Sequence, residues 1–183
     1  MNNLSVPKCM KTVSEMFFDR GFYEESEEIK SLHFDQDKSI FNVDIKKTFR
    51  ILFNLNCRFK FVDVKKYFDE EFPFYIIITT EKISSVNIKT ILELKKDVQL
   101  FEIKELQFNI TKHHLVPKHI LVKDEDEINT IVTKYLLKSR VQLPVILKSD
   151  PVARYLNAKN GNLMKILRYS PSSGEHIIYR YCM

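Results

Sequence analysis

The sequence predicts an α+β chain built from two modules, residues 1–107 and 108–183. Three observations carry this reading. "FPFYIIITT", "SVNIKTILELKKD" and "VQLFEI" follow one another as strand, helix and strand within about thirty residues, which is the length of a parallel crossover. "NLMKILRY" and "EHIIYRYC" flank the turn residues "SPSSG", so the chain closes in a β-hairpin. Charge divides the same way: residues 1–107 hold 17 Lys/Arg against 18 Asp/Glu, net −1, while residues 108–183 hold 12 against 6, net +6. A basic excess confined to the last third of the chain points to an acidic or phosphate-bearing partner for the second module, although ordinary solubilising charge would look the same.

In the first module, "SVPKCMKTVSEMFFDRGF" spaces Val6, Met10, Val13 and Phe17 for one helix face, with Ser5 as N-cap and Gly21 as stop. "YEESEEIKSLHFDQDKS" is acidic and reads as a short helix or loop. "SIFNVDI" reads as a strand. "TFRILFNLN" alternates Phe49, Ile51, Phe53 and Leu55 against polar residues and reads as a half-buried strand, with "FKFVDV" as a second strand beside it. "FPFYIIITT" is apolar throughout, as a central strand is. The following helix carries Ile88, Ile91 and Leu92 on one face.

In the second module, "HHLVPKHILV" is extended and interrupted by Pro117, which suits an edge strand. "KDEDEINTIVTKYLL" has acids in its first turn and Lys134 near its end, matching the helix dipole, with Ile128, Ile131, Val132 and Tyr135 as the buried face. "QLPVIL" is extended. Ser149 or Asp150 caps a short helix that has Pro151 at its first position, where a proline loses no hydrogen bond. Asn157, which tolerates the left-handed cap, ends it.

The 183 residues are 44% hydrophobic, with 22 Phe and Tyr together, so the chain can bury a core and is not globally disordered. No apolar run approaches the ~18 residues of a membrane span. The first residues lack the charged-then-apolar order of a secretory signal. Cys9, Cys57 and Cys182 are far apart and odd in number, which favours a reducing compartment.

Four chemistries bear on this sequence. His113, His114 and His119 offer three imidazoles, but neighbouring side chains on a strand point apart and no cysteine is near, so a structural reading is preferred to zinc. Asp44/Lys46 and Asp63/Lys65 each have the D-x-K form of metal-dependent nucleases, in which a carboxylate holds the cation and a lysine on the same strand face steadies the attacking water. The pattern is only three residues long and equally describes a solvated strand face. Gly21, Gly161 and Gly174 are the only glycines, which excludes phosphate-cradling loops, and no Ser or Cys nucleophile signature exists. Basic and aromatic residues interleave in "RYLNAKNGNLMKILRY" and "IIYRYCM"; they fit phosphate contact and base stacking, or core and interface anchors equally well.

Several longer motifs carry a family resemblance. "NITKHHLVPKHILV", "QLPVILKSDPVARYLNAKNGNLMKILR" and "SSGEHIIYRYCM" closely resemble, over residues 108–183, the small subunit of cellular multisubunit RNA polymerases called H in archaea and the shared fifth subunit in eukaryotes. "KTVSEMFFDRGF" resembles the first helix of the eukaryotic form, so the chain looks eukaryotic or viral; residues 24–107 match weakly and look shorter than the usual module. The resemblance implies a non-catalytic role in the nucleus, or at a viral transcription site. It implies a C-terminal assembly module docked on the largest subunit among other polymerase subunits. It also implies an N-terminal nuclease-like jaw module, a mixed sheet with helices and no nuclease activity, near downstream duplex DNA. No cofactor, metal or membrane is expected. The docking residues it suggests are Pro117, His119, Asp150, Pro151, Arg154, Tyr155, Lys165, Arg168 and Arg180, with Arg20 proximal to DNA. A metal-dependent nuclease and a free basic DNA-binding module remain as alternatives. The chain departs from the family where Asn157 and Asn160 replace a usual glycine and arginine, where Val145 replaces a usual arginine, and in the missing acid of "SPSSG".

Overall fold

The computed structural model describes residues 5–22, 39–45, 48–95, 97–171 and 174–183. The acidic stretch of residues 23–38 and Lys46 lie outside them. The chain divides into two compact units: residues 1–14 with 27–108, and residues 15–26 with 109–183. The division after Phe108 lies beside the boundary read from the sequence, but residues 15–26 count with the second unit. Helix α1, Val6–Asp19, therefore contributes to both.

The first unit holds a four-stranded mixed sheet. β1 (Ile40–Ile45) runs antiparallel to β2 (Phe49–Asn54), which lies parallel to β3 (Phe74–Thr79), which lies parallel to β4 (Val98–Glu102). The parallel β3–β4 pair is joined by α3 (Ser85–Leu94), as the crossover pattern predicts. Ser84 caps α3 by accepting from the Asn87 amide. Ile91, fully buried, is the residue that seats α3 on the core with Leu52, Tyr75 and Ile77.

Two expectations fail here. β2 is buried on both faces: Ile51, Leu52 and Phe53 are consecutive, so they point alternately to the two faces of the sheet, and all are inaccessible. Its alternation reads as half-buried only because Arg50 and Asn54 are polar. "FKFVDV" forms no strand: Phe61–Lys65 is a single helical turn, α2. Phe61, Val64 and Phe68 recur at helical spacing, and all three join the core around Leu52 and Tyr75. Helical periodicity overrides the two-residue alternation once that core is available.

The second unit is one sheet between two helical layers. The strand order is β5 (Lys118–Val122), β7 (Leu163–Ser170), β8 (Gly174–Cys182) and β6 (Val145–Ile146). β7 and β8 form the expected hairpin, with Ser170 opposite Gly174. β5 lies at an edge, where Pro117 at its start costs no ladder bond. On one face α4 (Glu125–Lys134) packs Ile128 and Ile131 against Val122 and Leu163. On the other, α5 (Pro151–Tyr155) packs Ala153 against Met164, Ile166 and Cys182. Leu163 and Met164 are both fully buried because successive residues of β7 enter the two different layers.

Candidate subunit-docking surface

The expected docking residues centre on α5. Five residues make a helix too short to persist on propensity alone, so its geometry is imposed at both ends. Asp150 accepts hydrogen bonds from the Val152 and Ala153 amides at 2.9 and 3.3 Å, and Pro151 supplies a preset first position. At the other end Asn157 takes φ 56°, and the Ala158 amide reaches back to the Ala153 carbonyl at 2.8 Å. That closure uses a left-handed residue just past the helix end, which asparagine tolerates in place of glycine.

Tyr155, one of the expected docking residues, is spent inside the unit, as is its neighbour Val152. Val152 and Tyr155 are buried at 7% and 3% exposure. The Tyr155 hydroxyl donates to Asp19 Oδ2 at 2.7 Å and accepts from Asn109 Nδ2 at 2.8 Å. Asn109 also donates to Glu15, which pairs with Lys112 at 2.8 Å. Burial, then the hydrogen bond to the Asp19 carboxylate, pushes the Tyr155 phenol far above its ordinary range.

Arg20, the residue expected near DNA, is 7% exposed, and its guanidinium donates from Nε to the Tyr155 carbonyl at 2.8 Å and from Nη2 to the Arg154 carbonyl at 3.2 Å. These carbonyls end α5, where the helix dipole is negative. Burial pulls the guanidinium down to about 10, against the favourable charge of Tyr155. Lys123 adds a bond to the Arg20 carbonyl at 3.2 Å. The D-R-G and S-D-P-V-A-R-Y motifs thus join in one polar knot around the buried Arg20, Tyr155 and Asn109, with Asp19 and Lys123 at its exposed edge. Asp19, Asn109, Glu15 and Lys123 belong to it and were not singled out from sequence; the one legible sign was a charged pair closing an otherwise apolar helix face.

The remaining expected residues do not share one surface. His119, Arg168 and Arg180 lie on the α5 side of the sheet, since Ile166 faces His119 and Met164 faces Arg180 across the strands. Lys165 points to the opposite side, where it meets Glu127 at 3.3 Å, so it does not join Arg154 and Arg168 in one cationic group. Arg180 donates to the Val145 carbonyl at 3.3 Å, and its buried Nε has no partner among the described residues. His119 Nδ1 lies 2.7 Å from the Pro117 carbonyl. Pro151 and Arg168 are exposed.

The nuclease geometry is absent from the pair Asp63/Lys65. Both lie on helix α2, where a two-residue spacing turns side chains about 200° apart rather than onto one face. Asp44 is on a strand, but its carboxylate takes Arg50 Nε and Nη2 at 2.6 and 2.8 Å. Partial burial alone would raise it; the Arg50 and Asn42 hydrogen bonds outweigh this and hold it below the usual carboxylate range. His113 and His114 stack at 4.6 Å in a turn instead of pointing apart on a strand. Among the described residues, no three metal-binding side chains converge.

A small sheet layered between helices, one of them a single turn pinned at both ends, defines a compact α+β domain. Comparison with known proteins gives it a family. The family model for the RNA polymerase Rpb5 C-terminal domain matches residues 108–182. The Dictyostelium discoideum "DNA-directed RNA polymerases I, II, and III subunit rpabc1" is 37% identical over 128 residues, 68% of this chain and 63% of that protein. The Caenorhabditis briggsae RPABC1 subunit of the same name is 43% identical over 76 residues, 42% of this chain and 35% of that protein. Residues 108–182 belong to the Rpb5 C-terminal domain family. It spans less than two thirds of the length of these relatives.

Proposed function

We propose that this chain is a non-catalytic structural subunit of a multisubunit DNA-directed RNA polymerase, acting in nuclear transcription. Its C-terminal unit docks on the largest subunit beside other polymerase subunits, and its N-terminal unit forms part of the lower jaw near downstream duplex DNA. The match of residues 108–182 to the Rpb5 C-terminal domain carries this reading. The pinned α5 supports it, because a helix whose ends are already fixed loses little further conformational freedom when a partner covers it. Pro151, Arg154, Arg168 and His119 are the docking residues, with Asp150, Tyr155 and Arg20 holding the surface in shape.

Affinity purification of the tagged full chain tests this. Stoichiometric recovery of the large polymerase subunits is the expected result, and Arg168→Glu should lower that recovery several-fold. A chain that comes through purification alone would overturn the assembly role.

A further inference from the structure

Helix α4 ends in a conformation that its sequence does not favour. The Leu137 amide reaches back to the Val132 carbonyl at 3.0 Å, and the Leu136 amide to the Thr133 carbonyl at 3.1 Å. This double closure requires a left-handed residue at position 136, where glycine is the usual occupant. The residue is leucine, at φ 52°. A side chain with a Cβ is disfavoured in that region, and one gains nothing here from packing, because Leu136 is 88% exposed. At the end of α5 the same closure is made with Asn157, a residue that suits it.

Two residues after the strained leucine, Lys138 opens the lining of a basic cleft. A depression of about 510 Å³ lies between α4 and the following turn, lined by Asn129, Val132, Lys138, Arg140, Val141 and Tyr181 among others. None of its lining side chains is acidic. Arg140 gives one nitrogen to Glu125 at 2.7 Å, and Lys138 has no carboxylate partner among the described residues. Val141 is 57% exposed beside them. Two cations over an open cleft with exposed aliphatic side chains complement a carboxylate that has an apolar neighbour.

We infer that this corner, Leu136 with Lys138, Arg140 and Val141, receives an acidic segment with an adjoining apolar side chain from another polymerase subunit. The inference rests on the assembly role proposed above and adds a second contact, on the face of the sheet opposite α5. Leu136 supplies apolar contact to the partner, at the expense of the stability of the free chain.

The test uses the tagged full chain and two readouts that this inference sends in opposite directions. Leu136→Gly should raise the melting temperature of the free chain by roughly 2–4 °C, by relieving the left-handed leucine. The same variant should reduce the polymerase subunits retained through a salt wash several-fold. Lys138→Glu should reduce retention likewise, with Lys138→Arg close to the parent. A photo-reactive residue replacing Val141 should crosslink to a subunit peptide in which Asp or Glu adjoins an apolar residue. If the parent retains polymerase while Leu136→Gly and Lys138→Glu retain it equally well, this inference is overturned and the assembly role stands. If the parent retains none, the assembly role fails, and the occupant named here fails with it.

Discussion

Tyr155 shows how one hydroxyl joins distant parts of the sequence. It bonds Asp19 and Asn109, residues 136 and 46 positions away, from a side chain only 3% exposed. Tyr155→Phe keeps the ring and removes both bonds. The mostly buried Asn109 amide then loses a partner, so unfolding free energy should fall by about 1–2 kcal/mol in urea denaturation. The pH dependence has a definite sign. The folded phenol titrates above its unfolded value, so its stabilisation is fully present below about pH 10 and is lost as pH rises beyond that. The gap between parent and variant should therefore narrow in alkali; a gap that widened there would contradict the bond to Asp19. Arg20 carries the complementary lesson. A buried guanidinium on two carbonyls is invisible to composition, because an arginine after an aspartate reads as surface charge until its neighbours in space are known.

At the scale of elements, periodicity was a sound guide where one face alone was buried. α1, α3 and α4 fall where their apolar spacing places them, although Leu92 and Tyr135 of the expected faces are exposed, and the β3–α3–β4 crossover is parallel as its length requires. It misled at α2 and β2, where residues enter a core supplied from elsewhere in the chain. There a two-residue alternation cannot separate a strand from a helical turn whose remaining positions are aromatic. α3 offers a direct check. Ile91 is its fully buried anchor, so Ile91→Ala should destabilise the first unit by about 2–5 kcal/mol, through lost burial and the cavity left behind. Hydrogen exchange should quicken across β2, β3 and α3. A loss below 0.5 kcal/mol, a threshold set roughly at the size of ordinary surface changes, would mean that α3 is seated some other way.

At the scale of the whole molecule, the second unit is discontinuous in sequence: residues 15–26 count with residues 109–183. A family match that starts at residue 108 leaves out the stretch that contributes Asp19 and Arg20. Cooperative opening should follow the unit rather than the sequence. On the intact chain, the protected amides of Arg20 and Phe22 should exchange with the denaturant response of β7, not with that of β2. The opposite grouping would dissolve the division proposed by the contacts. By itself the sequence determined the charge difference between residues 1–107 and 108–183, the hairpin, the capped ends of α5 and the family motifs, because each depends on residues close together along the chain. Only the tertiary structure decided that Arg20 is buried, that Tyr155 and Val152 face inward, that Lys165 and Arg168 lie on opposite faces, and that Asp63 and Lys65 sit on a helix. Those outcomes depend on which distant groups desolvate and pair with one another, and no local spacing encodes that.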